Sequence, residues 1–209
     1  MPERARHVVC LHGFLSSPKA RKCVWIAQAA SRLPGVACHV PDINDSPEAV
    51  ARRLRALVEG LDGTVAMAGA SLGGFYAAWL AAQLAKAGRS ARLLMINPAT
   101  RPWEYVERFE GTMVRQGGKS AFIEPGFAEA LRDMAREFPW LGRCAVPGLL
   151  FTAQGDEVLD PSVAPLDFPG LPHWSVPGSD HAVSDLGSYG PAWLAFLAEG
   201  RLPPAVAQD

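Results

Sequence analysis

Short apolar runs alternate with segments of helical periodicity along most of the chain. The runs are rich in Val, Leu and Ala and end at Gly, Pro or Asn, which is typical of strands buried on both faces. They predict six strands, at residues 7–11, 36–40, 64–68, 92–96, 148–153 and 173–176. Because helical segments stand between these runs, the order predicts a mostly parallel sheet with helices on both faces.

The helical segments carry apolar residues three or four positions apart, as amphipathic helices do. Ser17-Pro18 and Ser46-Pro47 each join an N-cap residue to a proline suited to the first turn. We therefore expect the first two helices to begin there. An Ala-rich helix is predicted at about 72–87, and a last helix at roughly 184–198.

The alternation stops between about residues 99 and 143, where no strand is predicted. Helices are expected at 103–109 and 127–138, separated by a turn at Gly117-Gly118. We therefore predict one α/β domain over residues 1–209. It should be a three-layer α/β/α sandwich of about six strands, with a small helical lid inserted at about 99–143.

Composition and charge narrow the possible partners. Hydrophobic residues make up 49% of the 209 residues and charged residues 20%, which excludes a disordered chain. The net charge of −1 gives no electrostatic reason to expect nucleic acid or an anionic membrane as a partner. The apolar runs are shorter than the roughly 20 residues that span a bilayer, so no membrane span is expected. The stretch 8–11 is too short for a signal-peptide core.

The four cysteines are Cys10, Cys23, Cys38 and Cys144, and no two are spaced as in a CxxC motif. They are too sparse for a disulfide framework and are expected to be small buried apolar residues in a reducing compartment. No HExxH metal motif and no Gly-rich nucleotide motif occurs, so neither a metal nor a nucleotide is expected to bind.

Candidate chemistry lies just after the predicted strands, because sites in such sheets form at the carboxyl ends of the strands. Gly69, Ser71 and Gly73 form the G-x-S-x-G pattern of a nucleophile elbow, between a buried strand and an Ala-rich helix. The glycines allow close approach of neighbouring backbone, and the helix directs its positive end at a developing oxyanion. The alternative is an N-cap serine in a Gly-rich turn.

An acid and a base follow the fifth and sixth strands, in the chain order of the elbow template. Asp156 is favoured as the acid because it comes first after the strand, whereas Asp160, before a proline, is more typical of a turn. His181 is favoured as the general base because it alone follows the carboxyl end of a strand after the acid. The histidines set aside are His7, His12, His39 and His173.

The same template predicts an oxyanion hole and a substrate pocket. The backbone N–H of Leu72, after the nucleophile, and that of Phe14, after the first strand, are the expected oxyanion donors. The inserted segment offers aromatic side chains for an acyl group, of which Trp103 and Phe122 are the selected substrate contacts. The full set is Trp103, Tyr105, Phe109, Phe122, Phe127, Phe138 and Trp140. The equally weighted alternative is that they pack the insertion onto the core.

Five blocks of the sequence resemble the small bacterial esterases of the UPF0227 family, in the α/β-hydrolase superfamily. The blocks are HGFLSSP (12–18), GASLGGFYAAWL (69–80), NPATRP (97–102), TAQGDEVLD (152–160) and GSDHA (178–182). The resemblance spans nearly the whole chain and is weakest over 101–143. It implies an α/β-hydrolase fold with Ser71 as nucleophile, Asp156 as acid and His181 as base. It also implies hydrolysis of carboxylic esters or thioesters with short to medium acyl chains, without a cofactor, in the cytoplasm.

We therefore expect a serine esterase or thioesterase that acts on small-molecule acyl substrates through an acyl-serine intermediate. A non-catalytic binding protein of the same fold is the alternative from another class. An acyltransferase, a peptidase or a lactonase could use the same residues.

Overall fold

Six parallel strands form the central sheet of the protein. A computed structural model describes residues 3–116, 118–137 and 146–206. The strands are β1 (Ala5–Leu11), β2 (Ala37–His39), β3 (Thr64–Ser71), β4 (Ala91–Pro98), β5 (Met113–Gln116), β6 (Lys119–Phe122), β7 (Gly148–Ala153) and β8 (His173–Val176). The sheet order is β2-β1-β3-β4-β7-β8, and β5 and β6 form a separate pair.

The strands lie close to their predicted positions and pair with their neighbours in the parallel sheet. Val8 of β1 pairs with Ala66 of β3, and Ala66 pairs in turn with Arg92 of β4. β7 and β8 have the predicted bounds, whereas β3 and β4 extend further, to Ser71 and Pro98. The predicted parallel sheet of six strands is confirmed.

Helices cover both faces of the sheet. They are α1 (Arg21–Ala30), α2 (Pro47–Glu59), α3 (Leu72–Lys86), α4 (Pro102–Val106), α5 (Phe127–Arg136), α6 (Val163–Asp167) and α7 (Gly190–Glu199). Two 3-10 turns lie at Glu107–Phe109 and Leu186–Ser188. α1 and α7 bury residues such as Ile26 and Trp193 against one face. α2, α3 and α5 bury residues such as Leu54, Phe75 and Leu131 against the other. The predicted α/β/α layering is therefore confirmed.

The two predicted helix starts have different outcomes. The Ser46 hydroxyl oxygen accepts a hydrogen bond from the Ala49 N–H, and α2 begins at Pro47, as predicted. The start predicted for the first helix at Ser17-Pro18 is wrong. The Ser17 carbonyl oxygen accepts from the Ala20 N–H at 2.8 Å in a separate turn, and α1 begins only at Arg21.

The prediction that the insertion contains no strand is also wrong. β5 and β6 pair in antiparallel fashion, with Met113 opposite Phe122. Each strand is four residues long and mixes polar with apolar residues, so it lacks the apolar run by which the other strands were recognised. The predicted helices are present as α4 with its 3-10 turn and as α5. The lid role of the insertion stays a prediction.

Three of the four cysteines lie among the described residues. Cys10 and Cys23 are buried, Cys38 is half-buried, and Cys144 lies outside the described residues. Within the ranges given above, we find no helix with the length and apolar character needed to traverse a bilayer. The same ranges contain no group of three or more His, Cys, Asp and Glu side chains arranged to hold a metal ion.

Candidate active site

Ser71 lies at a sharp turn between β3 and α3. It is the last residue of the strand, and its backbone φ of 54° and ψ of −126° lie in a region that residues with a β-carbon rarely adopt. The turn exposes the serine above the carboxyl edge of the sheet, at the start of a 15-residue helix. This is the geometry of a nucleophile elbow.

The two glycines of the elbow are required by close backbone contacts. A β-carbon on Gly69 would lie 2.1 Å from the Gly73 carbonyl oxygen. A β-carbon on Gly73 would lie 2.3 Å from the carbonyl oxygen of Leu11, at the end of β1. The G-x-S-x-G spacing therefore has a physical cause: only glycine lets the helix start, the strand and the neighbouring β1 meet so closely.

Asp156 and His181 form a hydrogen-bonded pair after β7 and β8. His181 Nδ1 lies 2.8 Å from Asp156 Oδ2, and the Asp156 side chain is only 3% exposed. The other carboxylate oxygen accepts hydrogen bonds from the N–H groups of Val158 and Leu159. Burial opposes ionisation of Asp156, but the hydrogen bonds from His181 and these N–H groups outweigh it and lower its pKa. The ionised carboxylate requires the hydrogen of the imidazole to be on Nδ1, which leaves Nε2 as an acceptor.

The competing residues have other partners. The Asp160 carboxylate accepts from the N–H and hydroxyl of Ser162, as expected of a turn residue. The other histidines also have ring contacts: His7 with His39 and Asp62, His12 with the Gly13 carbonyl and Asp42, and His173 with Thr152. Of all five histidines, only His181 contacts Asp156 in the part of the chain that the structure describes.

Three residues that the sequence did not single out for function hold the backbone of His181. The His181 N–H donates to the Glu157 carboxylate at 2.9 Å. Its carbonyl oxygen accepts from Lys22 Nζ at 3.1 Å and from Asn97 Nδ2 at 3.2 Å. Asn97 Oδ1 also accepts from the Ala153 N–H, so this buried amide links the end of β7 to the histidine loop. Asn97 could have been found from the sequence, because it is a polar residue directly after the apolar run of a strand. No sequence motif or spacing pointed to Lys22.

One cavity of about 760 Å³ brings the predicted residues together. Ser71, His181, Phe14 and Leu72 all line it. Within the described ranges, the N–H groups of Phe14 and Leu72 donate no hydrogen bond. Two unused donors beside the serine suit an oxyanion. Asp156 does not line the cavity but lies behind His181, on its Nδ1 side.

The insertion supplies an apolar wall of the cavity, though not with the two side chains selected from the sequence. The lining residues from the insertion include Tyr105, Val106, Phe109, Met113 and Val114. Trp103 instead packs edge-on against Phe75 in the core, and Phe122 is 48% exposed, and neither is among the described lining residues. Phe127 also packs against the core, whereas Phe138 and Trp140 lie outside the described residues. The core-packing alternative thus describes Trp103 and Phe127.

Solved structures with a similar fold include esterases and a lipase. Est1E from Butyrivibrio proteoclasticus superposes with a TM-score of 0.72 at 16% identity, over 92% of this chain and 86% of that chain. A second Est1E structure, with bound ferulic acid, gives a TM-score of 0.74 at 16% identity, over 92% and 88%. The monoacylglycerol lipase of Paleococcus ferrophilus gives 0.67 at 16% identity, over 91% and 93%.

A family model also matches the chain. The model described as "Uncharacterised protein family (UPF0227)" matches residues 7–198, which confirms the resemblance inferred from the five sequence blocks. The strand order, the elbow and the neighbouring structures agree on the fold. The chain therefore belongs to the UPF0227 family and has the α/β-hydrolase fold.

Proposed function

We propose that the protein is a serine hydrolase that cleaves carboxylic esters or thioesters through an acyl-serine intermediate. One observation carries the proposal: a strained elbow serine shares a cavity with a histidine whose ring is held by a buried, ionised carboxylate. The Paleococcus protein is named as a monoacylglycerol lipase, an ester-cleaving enzyme, which supports the same reaction class for this chain.

The first half of the reaction acylates Ser71. His181 Nε2 takes the hydroxyl proton as Oγ attacks the carbonyl carbon of the substrate, and a tetrahedral oxyanion forms. Asp156 keeps the imidazole in the required tautomer and stabilises the imidazolium. The N–H groups of Phe14 and Leu72 donate to the oxyanion, each contributing about 3–4 kcal/mol. The leaving alcohol or thiol takes the proton from His181 as its bond to the carbonyl carbon breaks.

The second half releases the acid. Water gives a proton to His181 Nε2 and attacks the acyl-serine carbonyl, and the same two N–H groups stabilise the second oxyanion. Collapse of this intermediate returns the proton to Ser71 Oγ and frees the carboxylic acid. Each half transfers one proton through His181, and no cofactor takes part.

The cavity supports the proposed substrate class. Its apolar wall of Tyr105, Val106, Phe109, Met113 and Val114 suits an acyl chain, and its volume suits a small molecule. We propose short to medium acyl chains on an alcohol or thiol leaving group. We also keep the cytoplasm as the proposed location, supported by Cys10 and Cys23, which are free thiols joined by a hydrogen bond from Cys10 to Cys23 Sγ.

The experiment compares the wild type with Ser71→Ala on p-nitrophenyl acetate, butyrate and octanoate. We expect at least about a 10³-fold loss of kcat, because the nucleophile is gone while the fold remains. Ser31→Ala serves as the control, since this serine caps the far end of α1 and lies outside the cavity lining. The melting temperature should be unchanged in both variants. Retention of most activity in Ser71→Ala would refute the proposal.

The alternative functions give different results with the same proteins. A fluorophosphonate probe should label wild-type Ser71 and leave Ser71→Ala unlabelled, whereas a binding protein would not be labelled in either form. Among enzymes, a panel of oxyesters, thioesters, lactones and peptides, with and without an added alcohol acceptor, separates a hydrolase from an acyltransferase, a peptidase or a lactonase.

A further inference from the structure

We propose that Lys22 is a positioning residue for the catalytic base: its ammonium group holds the loop that carries His181, so that the imidazole stays directed into the cavity of Ser71. This inference rests on the proposed hydrolase function. It concerns a residue on α1, which is remote in sequence from every residue of the proposed triad.

The contacts of Lys22 are with the backbone of the histidine loop. Lys22 Nζ donates to the carbonyl oxygens of His181, at 3.1 Å, and of Ala182, at 2.9 Å. The side chain starts from the first turn of α1, whose neighbouring residues Cys23 and Ile26 are buried against the sheet. Because α1 is fixed by this packing, Lys22 holds the loop from a rigid element.

The loop needs such contacts because its backbone is strained. Ser179 and Val183, on either side of His181, both have positive φ angles, of 55° and 54°. Such conformations are energetically unfavourable for residues with a β-carbon and persist only where the surroundings hold them. Lys22 and Asn97 together supply four hydrogen bonds to carbonyl oxygens of residues 180–182. Releasing one of these two side chains is therefore expected to let the histidine move.

Because Lys22 carries a charge in a largely buried position, its contacts with the loop are an expensive way to stabilise the fold alone. Burial lowers the pKa of Lys22, and nearby negative groups, including Asp180 and Asp156, only partly oppose this effect. An apolar side chain of similar length avoids the cost of burying a cation, so replacing Lys22 by Met is expected to change stability little. The effect of the lysine should therefore appear in the reaction rate more than in the melting temperature.

The test measures hydrolysis of the neutral ester p-nitrophenyl butyrate by Lys22→Met, Lys22→Arg and the control Lys19→Met. Lys19 is an exposed lysine three positions earlier, so its variant removes the same charge without touching the loop. We expect Lys22→Met to lower kcat by about 10–100-fold, the size of effect that a small misplacement of a catalytic group produces. Lys22 also lines the cavity, but its ammonium group is engaged by the two loop carbonyls, so KM should stay within about twofold.

Two further readouts separate positioning from packing. Lys22→Arg still places donors near the two carbonyls, so it should recover most of the lost kcat. Fluorophosphonate labelling of Ser71 also depends on the histidine base, and its rate in Lys22→Met should fall by the same factor as kcat. Lys19→Met should match the wild type in every measurement.

The results that overturn the inference are distinct from those that overturn the function. A Lys22→Met variant with wild-type kcat refutes it, and so does a rise in KM with kcat unchanged, which would make Lys22 a substrate contact. If Lys22→Met does not fold, Lys22→Gln replaces it, and equal kcat values in the Gln and Arg variants refute the inference. If the wild type neither cleaves esters nor reacts with the probe, the proposed function and this inference fail together.

Discussion

Two aspartates four residues apart differ in their surroundings. The Asp156 side chain is almost fully buried and contacts the imidazole of His181. Asp160 is exposed, and its carboxylate forms hydrogen bonds only with Ser162 among the described residues. The preference for Asp156 over Asp160 stays a prediction of function, but its physical basis is now the contact with the histidine rather than the order of residues after a strand.

Replacing each aspartate by asparagine tests this assignment. We expect Asp156→Asn to lower kcat by about three to four orders of magnitude, because the amide no longer fixes the imidazole tautomer and no longer balances the imidazolium charge. Asp160→Asn is the matched control and should keep near wild-type kcat. Steady-state ester hydrolysis measures both, and the reverse pattern would make Asp160 the acid.

At the residue scale, the residues proposed to take part in the reaction were easier to identify from the sequence than the residues that position them. Ser71, Asp156 and His181 stand in recognisable local patterns, and the structure brings Ser71 and His181 to one cavity and His181 to Asp156. Lys22, Asn97 and Glu157 act through backbone atoms of a distant loop. No spacing rule encodes such a contact, because a carbonyl oxygen is present at every residue.

The elements of the insertion form one side of the cavity. α4, its 3-10 turn and the β5–β6 hairpin contribute Tyr105, Phe109 and Met113 to the lining. The helices were recognised from their periodicity, but the hairpin was not, since four-residue strands of mixed polarity give no two-residue repeat long enough to detect. The sequence therefore located the segment that lines the cavity without identifying which of its aromatic residues face inward.

Phe109 and Phe122 form a matched pair for testing this wall. Phe109→Ala should lower kcat/KM about tenfold for p-nitrophenyl octanoate and leave the acetate little changed, because only the longer chain loses apolar contact. Phe122→Ala, from the exposed face of β6, should keep the wild-type dependence on chain length. Kinetics over acetate, butyrate and octanoate measure both. Equal profiles for the two variants would contradict the assignment of the wall.

At the scale of the whole molecule, ionisable groups favour the fold at neutral pH. Hydrogen bonds from neighbouring groups lower the pKa values of six carboxylates: the half-buried Asp180 and the exposed Asp45, Asp62, Glu129, Asp160 and Asp185. The buried Asp156 has a lowered pKa for the reasons given above. Burial also lowers the pKa values of His39 and His173. In each case the unfolded chain binds a proton more readily than the folded protein does.

The free energy of unfolding should therefore fall as the pH falls, in two stages. The first begins below the ordinary histidine pKa of 6.5. There His39 and His173 are protonated in the unfolded chain at a higher pH than in the folded protein. The second begins as the pH approaches 3.8, the ordinary aspartate value, and continues through the lower folded pKa values. Urea unfolding at pH 7.5, 5.5 and 3.5 measures both. Constant or increasing stability toward low pH would contradict this account.

By itself, the sequence determined the order of strands and helices, the α/β class and the elbow at Ser71. These features depend on local periodicity and on a motif whose glycine and serine spacing can be recognised within five residues of the chain. Only the tertiary structure decided which residues hold His181 and that the insertion contains a β-hairpin. It also decided that Tyr105 and Phe109, rather than Trp103 and Phe122, line the cavity. Such contacts join residues far apart in the chain, and they arise from the packing of whole elements, which one-dimensional patterns do not contain.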